Sequence, residues 1–394
     1  MTSAVRLAKP ASLTARVVRR RSPLRRMDWL LTGAVLALAV VGALLVWSAT
    51  RPAQVATGAD PRAYLDRHLL NLAIGLLLGG VTAFFDHRML RAYAPVVYLA
   101  SCAGLVAVLL IGTTINGAHS WIVLGGGFQI QPSEFAKVGL VVSMAMLLGE
   151  RPRSQFDGDV GPRDVDVVLA LVLAVVPLGL VMLQPDLGTT MVLVVIILGV
   201  IALSGAPLRW VVGLVIAGAL AGFLAVHLEL LQAYQVDRFT AFLHPAADAQ
   251  GAGYTTQQAR IAIGSGGLTG TGLFHGSQTN GQFVPEQQTD FIFTAAGEQL
   301  GFIGAGVIVL LFGVVLWRGA RIAARAPDLF GRLIAAGVVS WLAFQTFVNI
   351  GMTLGIMPVT GLPLPFVSYG GSAMFANLVA IGLLQNVHLR TTAP

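Results

Sequence analysis

Ten apolar runs, at 28–48, 69–86, 93–113, 133–149, 166–183, 187–205, 208–231, 290–317, 331–354 and 372–389, punctuate a chain of 394 residues. Each is close to the roughly 20 apolar residues that a helix needs to cross a bilayer. Lipid offers the backbone no hydrogen-bond partners, so runs of this length and character are expected to be helices that satisfy themselves. The composition agrees: only 11% of the residues are charged, about half the share of a soluble domain, and 56% are hydrophobic. The expected fold class is therefore an all-α polytopic membrane protein with ten transmembrane helices.

Residues 1–27 carry Arg6, Lys9, Arg16, Arg19, Arg20, Arg21, Arg25 and Arg26 directly before the first run. That run is longer than a signal-peptide core and ends in no small-residue cleavage site, so it reads as a retained span. An even number of spans puts both termini on one side. With the N-terminus inside, 19 of the 25 basic residues fall in cytoplasmic segments and 6 outside, so both termini are expected in the cytoplasm. The chain then divides into a basic cytoplasmic tail (1–27), a ten-helix membrane domain (28–390) and a short C-terminal tail (391–394). The linker 150–165 faces the cytoplasm, and a large outer loop, 231–289, joins helices 7 and 8. The tail is expected to set topology and touch bilayer lipid, with no nucleic acid as partner. The single cysteine, Cys102, excludes a disulfide and a cysteine-built metal site.

A loop as long as 231–289 is uncommon unless it is functional, which points to chemistry on the outer face. Its glycines Gly264, Gly266, Gly267, Gly270 and Gly272 permit tight turns or close approach to a ligand. They form no phosphate-binding P-loop, because no Gly-Lys-Ser/Thr follows. Glu134 and Lys137, three apart at the start of the fourth run, can share a helical face and neutralise each other; either helix packing or substrate binding accounts for them. Asp186 sits in a tight outer turn, where capping the next helix is expected ahead of a role in the site. Asp290 and Glu298, eight apart, are expected on one helical face at different depths. A carboxylate partly desolvated at the mouth of a span suits a general base, while a simple helix cap is the alternative.

The stretch Asn349-Ile-Gly-Met-Thr-Leu-Gly355-Ile-Met-Pro358-Val-Thr-Gly361-Leu-Pro363-Leu-Pro365-Phe-Val-Ser368-Tyr-Gly370-Gly371-Ser372-Ala373 resembles the signature of the RodA, FtsW and SpoVE proteins, the SEDS family of bacterial wall growth, division and sporulation. Three further blocks agree: Gly117-Ala-His-Ser-Trp121 through Lys137, Gln184-Pro-Asp186-Leu-Gly, and Pro285-Glu-Gln-Gln-Thr-Asp290-Phe-Ile-Phe. The resemblance runs from about Asp28 to the end of the chain and is greatest to RodA, the elongation member.

It implies a peptidoglycan glycosyltransferase that polymerises lipid II on the outer face of the bacterial cytoplasmic membrane, with a class B penicillin-binding protein as transpeptidase partner. Asp290 aligns with the family's essential aspartate and is implied as the base on the acceptor GlcNAc C4 hydroxyl. The leaving pyrophosphate needs positive charge. Arg238 is the first candidate, Lys137 the second and Arg260 the third; a solvated loop charge or lipid contact competes for Arg260. Trp121 suits either an interfacial belt or substrate contact. Glu134, Gln278 and Ser368 complete the implied substrate-binding set. A divalent ion, Mg2+ or Mn2+, is implied without assigned ligands. Where many relatives have a basic residue and a histidine, this chain has Ser120 and Gln288. The proline-rich segment Gly355–Gly371 reads as a groove wall or as a packing element. A lipid-linked sugar flippase has the same polytopic body, with polar residues nearer mid-membrane; a non-catalytic scaffold would not need Asp290.

Overall fold

The computed structural model describes residues 23–115, 118–125, 128–149, 161–228, 232–243 and 251–391, and each of the ten apolar runs falls on a helix there. The first are α1 (Trp29–Ala56), α2 (Ala63–Phe84) and α3 (His87–Ile111). A small sheet follows: β1 (Thr113–Ile115), β2 (Ala118–Gly125) and β3 (Phe128–Ile130). Next come α4 (Pro132–Gly149), α5 (Asp164–Met182), α6 (Leu187–Leu203) and α7 (Leu208–His227). The expected outer loop contains α8 (Ala233–Leu243), α9 (Ala252–Ser265) and α10 (Ser277–Asn280), and α11 (Ile292–Arg325), α12 (Leu329–Leu354) and α13 (Gly371–Thr391) complete the chain. Among the described residues, nine helices are long and apolar enough to cross a membrane, and α6, at 17 residues, is shorter. The basic side chains from Arg6 to Arg21, linker residues 150–160, His244, Asp248 and residues 392–394 lie outside the described residues.

The sheet is an addition to the all-helical expectation. Its strands pair antiparallel in the order β1-β2-β3, with Ile115 opposite Ala118 and Gly125 opposite Phe128.

The bundle has a loop-rich end, bearing the sheet, α8–α10 and the 355–370 segment, and an opposite end where short connections at 85–86, 204–207 and 326–328 join successive helices. At that opposite end Asp28 caps α1 by accepting from Leu31 N (3.1 Å) and also accepts from Arg318 Nε (2.7 Å). Gln385 bonds to both Asp28 N (3.0 Å) and Asp28 O (2.9 Å), which joins α1, α11 and α13. α12 is the central post, packed against α4, α6, α9, α11 and α13. By contrast, α7 rests on α6 and buries none of its residues, as a lipid-facing helix would. The α2–α13 crossing is so close that a Cβ at Gly382 would lie 2.3 Å from Gly79 O. Small residues permit this approach where lipid provides no hydrophobic drive.

The eighth apolar run is broken. Gly301, at φ 68° and ψ −169°, splits α11 into a buried half-helix, 292–300, and a long arm, 302–325. Segment 266–272 takes up the groups the break frees. Phe302 N bonds to Gly267 O (2.9 Å), Ile303 N to Leu268 O (3.1 Å), Thr271 N to Glu298 O (3.0 Å) and Gly272 N to Gln299 O (3.0 Å). The loop glycines therefore serve close backbone-to-backbone packing: a Cβ at Gly301 would lie 2.2 Å from Gly270 N. Gly301→Ala is expected to lower stability by roughly 2–3 kcal/mol. Gly306→Ala, with open space around it in a helix interior, should be neutral to slightly stabilising. Thermal unfolding in detergent checks both, and equal midpoints for the two variants would contradict this reading of the break.

Candidate active site

Asp290 is held by a turn and by the helical core, and it does not lie on the helix. The carbonyl of Glu286 accepts from Thr289 N (3.2 Å), Asp290 N (3.1 Å) and Phe291 N (3.3 Å), so the turn closes just before α11 begins. From below, Asn349 Nδ2 on α12 donates to Asp290 O (2.8 Å) and to Leu362 O (2.7 Å). One buried amide thus ties the Asp290 turn to the 355–370 segment. That segment lies over the site: a Cβ at Gly361 would sit 3.5 Å from Asp290 Oδ2 and 3.8 Å from Arg238 Nη1. The carboxylate and the guanidinium therefore converge where Gly361 offers only backbone.

Arg238 reaches this point from α8. Its guanidinium stacks over the Tyr234 ring at 5.4 Å, and the Tyr234 hydroxyl donates to Pro185 O. Gln235 Nε2 donates to the same carbonyl (3.3 Å), so α8 is anchored on the turn that carries Asp186. As expected, Asp186 caps α6, accepting from Thr189 N (2.9 Å) and Thr189 Oγ1 (2.8 Å); it also accepts from Gln131 Nε2 (3.1 Å).

Asp290 is partly buried, and desolvation raises its pKa from 3.8 to about 6. The nearby Glu286 carboxylate adds to the rise, while Arg238 opposes it. A carboxylate tuned this way is ionised at neutral pH and basic enough to take a hydroxyl proton.

The other expected site residues fall elsewhere. Glu298 does not share a helical face with Asp290, because Asp290 precedes the helix. Instead Glu298 is buried and caps α10, accepting from Gln278 N (2.7 Å), Thr279 N (2.9 Å) and Thr279 Oγ1 (2.6 Å). Gln278 belongs to that clamp through its backbone. Ser368 Oγ accepts from Leu364 N (2.8 Å), closing a buried turn within the 355–370 segment. Lys137 is fully buried between α4 and α12. Its Nζ meets Glu134 at 2.8 Å and Gln345 Oε1 at 3.2 Å, and lies 4.6 Å from the centre of the Trp341 ring. Gln345 Nε2 then donates to Pro363 O (2.8 Å), so the pair supports the segment from beneath. As placed, Lys137 has its charge matched inside the protein and presents none to the surface. Trp121 lies in β2, two residues after His119, whose N–H donates to Gln184 O (3.2 Å). Arg260 is exposed on α9, beside Gly355.

Asn349, Tyr234 and Gly361 are the site residues that sequence reasoning did not single out. The four-residue spacing of Tyr234 and Arg238 signals one helical face. The double role of Asn349 depends on two carbonyls distant in sequence and has no local signal. Among the described residues, no group of three or more His, Cys, Asp or Glu side chains could hold a metal ion. The divalent ion that the resemblance implies thus has no three-ligand site among the described residues.

The fold is that of a polytopic helical protein in which a carboxylate and a guanidinium converge at the loop-rich end. The chain belongs to the SEDS family: residues 28–393 match the cell cycle protein family of FtsW, RodA and SpoVE. It is 39% identical over 362 residues to stage V sporulation protein E of Bacillus subtilis, covering 91% of this chain and 96% of that protein. It is 38% identical over 355 residues to the peptidoglycan glycosyltransferase MrdB of Escherichia coli, covering 90% and 91%. One similar solved chain comes from work on the structural coordination of polymerization and crosslinking by a peptidoglycan synthase complex: TM-score 0.75, 33% identity, 93% of this chain and 99% of that one. The rod shape determining protein RodA of Thermus thermophilus gives a TM-score of 0.67 at 32% identity, over 93% and 98%.

Removing Glu298 leaves two buried donors, Thr279 N and Oγ1, and the part-buried Gln278 N without this acceptor. Glu298→Ala is expected to cost about 2–4 kcal/mol and Glu298→Gln less, since the amide oxygen still accepts. Thermal unfolding in detergent reads the difference, and an unchanged midpoint for Glu298→Ala would place the carboxylate in some other role.

Proposed function

We propose that this protein is a peptidoglycan glycosyltransferase that polymerises lipid II on the outer face of the bacterial cytoplasmic membrane, during cell elongation. The observation that carries the reading is the convergence of Asp290 and Arg238 at Gly361. The likeness to proteins named peptidoglycan glycosyltransferase supports the reaction, and the RodA likeness supports the role in elongation. The excess of basic residues in the expected cytoplasmic segments supports an outward-facing loop-rich end.

In this reaction Asp290 takes the proton from the C4 hydroxyl of the acceptor GlcNAc. The freed oxygen attacks C1 of the donor MurNAc, and the bond from C1 to the pyrophosphate oxygen breaks. Undecaprenyl pyrophosphate leaves with the electron pair, and Arg238 offsets the charge that develops on it. Tyr234 and the Pro185 carbonyl hold α8, and with it Arg238, in position. The likeness to a chain from a peptidoglycan synthase complex supports a class B penicillin-binding protein as the transpeptidase partner.

Glycan synthesis from labelled lipid II, by the protein with its transpeptidase partner, tests the reading. Asp290→Asn is expected to lose at least about a hundredfold in rate while remaining folded and partner-bound. Wild-type rates across this variant's range would exclude Asp290 as the base. The wild-type rate should rise with pH through about 6, since the base works only when ionised. Glu286→Gln removes a like charge and should move this limb to lower pH; Arg238→Gln removes a cation and should move it higher. Shifts in the same direction for both would contradict the assigned electrostatics.

A further inference from the structure

Beyond the Asp290 site, α8 and α9 flank an open-sided cavity of about 520 Å³ lined by Ala241, Phe242, Thr256, Gln257, Arg260 and Ile261, with Gly355 at its edge. The cavity adjoins the site, because Ala241 and Phe242 follow Arg238 by three and four residues on the same face of α8. Its single charge is the Arg260 guanidinium, which is exposed and has no carboxylate partner among the described residues. The backbone at Gly355 makes room for it. Gly355 ends α12 at φ 75°, and a Cβ there would lie 3.2 Å from Arg260 Cδ and 3.3 Å from Thr256 Cγ2.

Position determines which anionic group Arg260 can meet. Asn349 holds the Asp290 turn, and Gly355 lies six residues further along α12, about 9 Å toward and past its loop-rich end. The pyrophosphate of a lipid-linked sugar is bonded to the reacting carbon and leads back toward the membrane. It therefore belongs beside Asp290 and Arg238. The arm that leads outward is the peptide carried by the MurNAc lactyl group, which bears free carboxylates and small aliphatic side chains. A cavity with one guanidinium, two polar side chains and an apolar floor matches that chemistry, and its volume exceeds what a phosphate group needs.

We infer that the α8–α9 cavity is a subsite for the acidic stem peptide of the substrate, with Arg260 pairing a peptide carboxylate and setting substrate preference. This inference rests on the glycosyltransferase reading above. It is tested with the full chain and its transpeptidase partner in zwitterionic nanodiscs, using lipid II and lipid II whose stem carboxylates are converted to amides. Wild type should prefer the carboxylated substrate about tenfold in kcat/KM, mainly through KM. Arg260→Gln should abolish the preference, bringing the ratio of kcat/KM between the two substrates to about one by a loss on the carboxylated substrate, and Arg260→Lys should retain part of it. Equal loss on both substrates in Arg260→Gln, or no preference in wild type, overturns the inference.

Binding of a soluble acidic muropeptide, read by calorimetry, separates this inference from the reaction itself. Binding that is weakened at least tenfold by Arg260→Gln, in a protein that polymerises nothing, upholds the subsite and removes the reaction. Binding indifferent to Arg260 removes the subsite whatever the polymerase assay shows.

Discussion

An irregular stretch of backbone packed into one end of a membrane bundle must have its carbonyls and amides paired by the protein, and segment 355–370 imposes that demand here. Helices α4 and α12 meet it from beneath. Gln345 bonds to Pro363 O and is itself fixed by Lys137 and by Trp341 Nε1 (2.7 Å); Asn349 bonds to Leu362 O. From the side, Tyr369 N donates to Gln288 O (2.9 Å), and within the segment Ser368 accepts from Leu364 N. The buried Lys137–Glu134 pair takes its meaning from this scaffold. A buried charge pair is weak support for stability as such, but here it orients the glutamine that holds a proline-rich wall in place.

The same wall borders the site proposed for the chemistry. Asn349 holds Leu362 and Asp290 with one amide, so the wall and the carboxylate are positioned together. Gly361 leaves a backbone-only gap between Asp290 and Arg238, and partial burial in that gap raises the Asp290 pKa to about 6. On the other side, the broken helix α11 is bound to segment 266–272, and Gln299 Oε1 accepts from Ser48 Oγ (2.7 Å) and Phe274 N (3.1 Å). The Asp290 turn therefore lies between two rigid supports, as the role of base proposed for it requires.

Much of this was legible in sequence because its signals are local. A run of about 20 apolar residues has one solution in a bilayer, and each of the ten runs falls on a helix among the described residues. Asp186 reads as a cap from its place in a turn, and it is one. The other features depend on partners far away in the chain. Glu298 was expected on the face of Asp290 because eight residues make two turns of an unbroken helix, yet the helix starts at Ile292, after Asp290. Lys137 and Glu134 left packing and binding equally open, and only the three-dimensional position of Gln345 shows where the lysine points. Glycines 266–272 suggested approach to a ligand, but the backbone they approach is that of α11.

The pH–rate profile of Asn349→Ala, measured on glycan synthesis with the partner bound, tests most directly whether the paired wall tunes Asp290. If it does, the acidic limb moves from about 6 toward the ordinary carboxylate value of 3.8, and kcat falls while KM for lipid II stays the same. An unmoved limb, with the loss confined to KM or to folding, would show that Asp290 owes its character to something other than the segment above it.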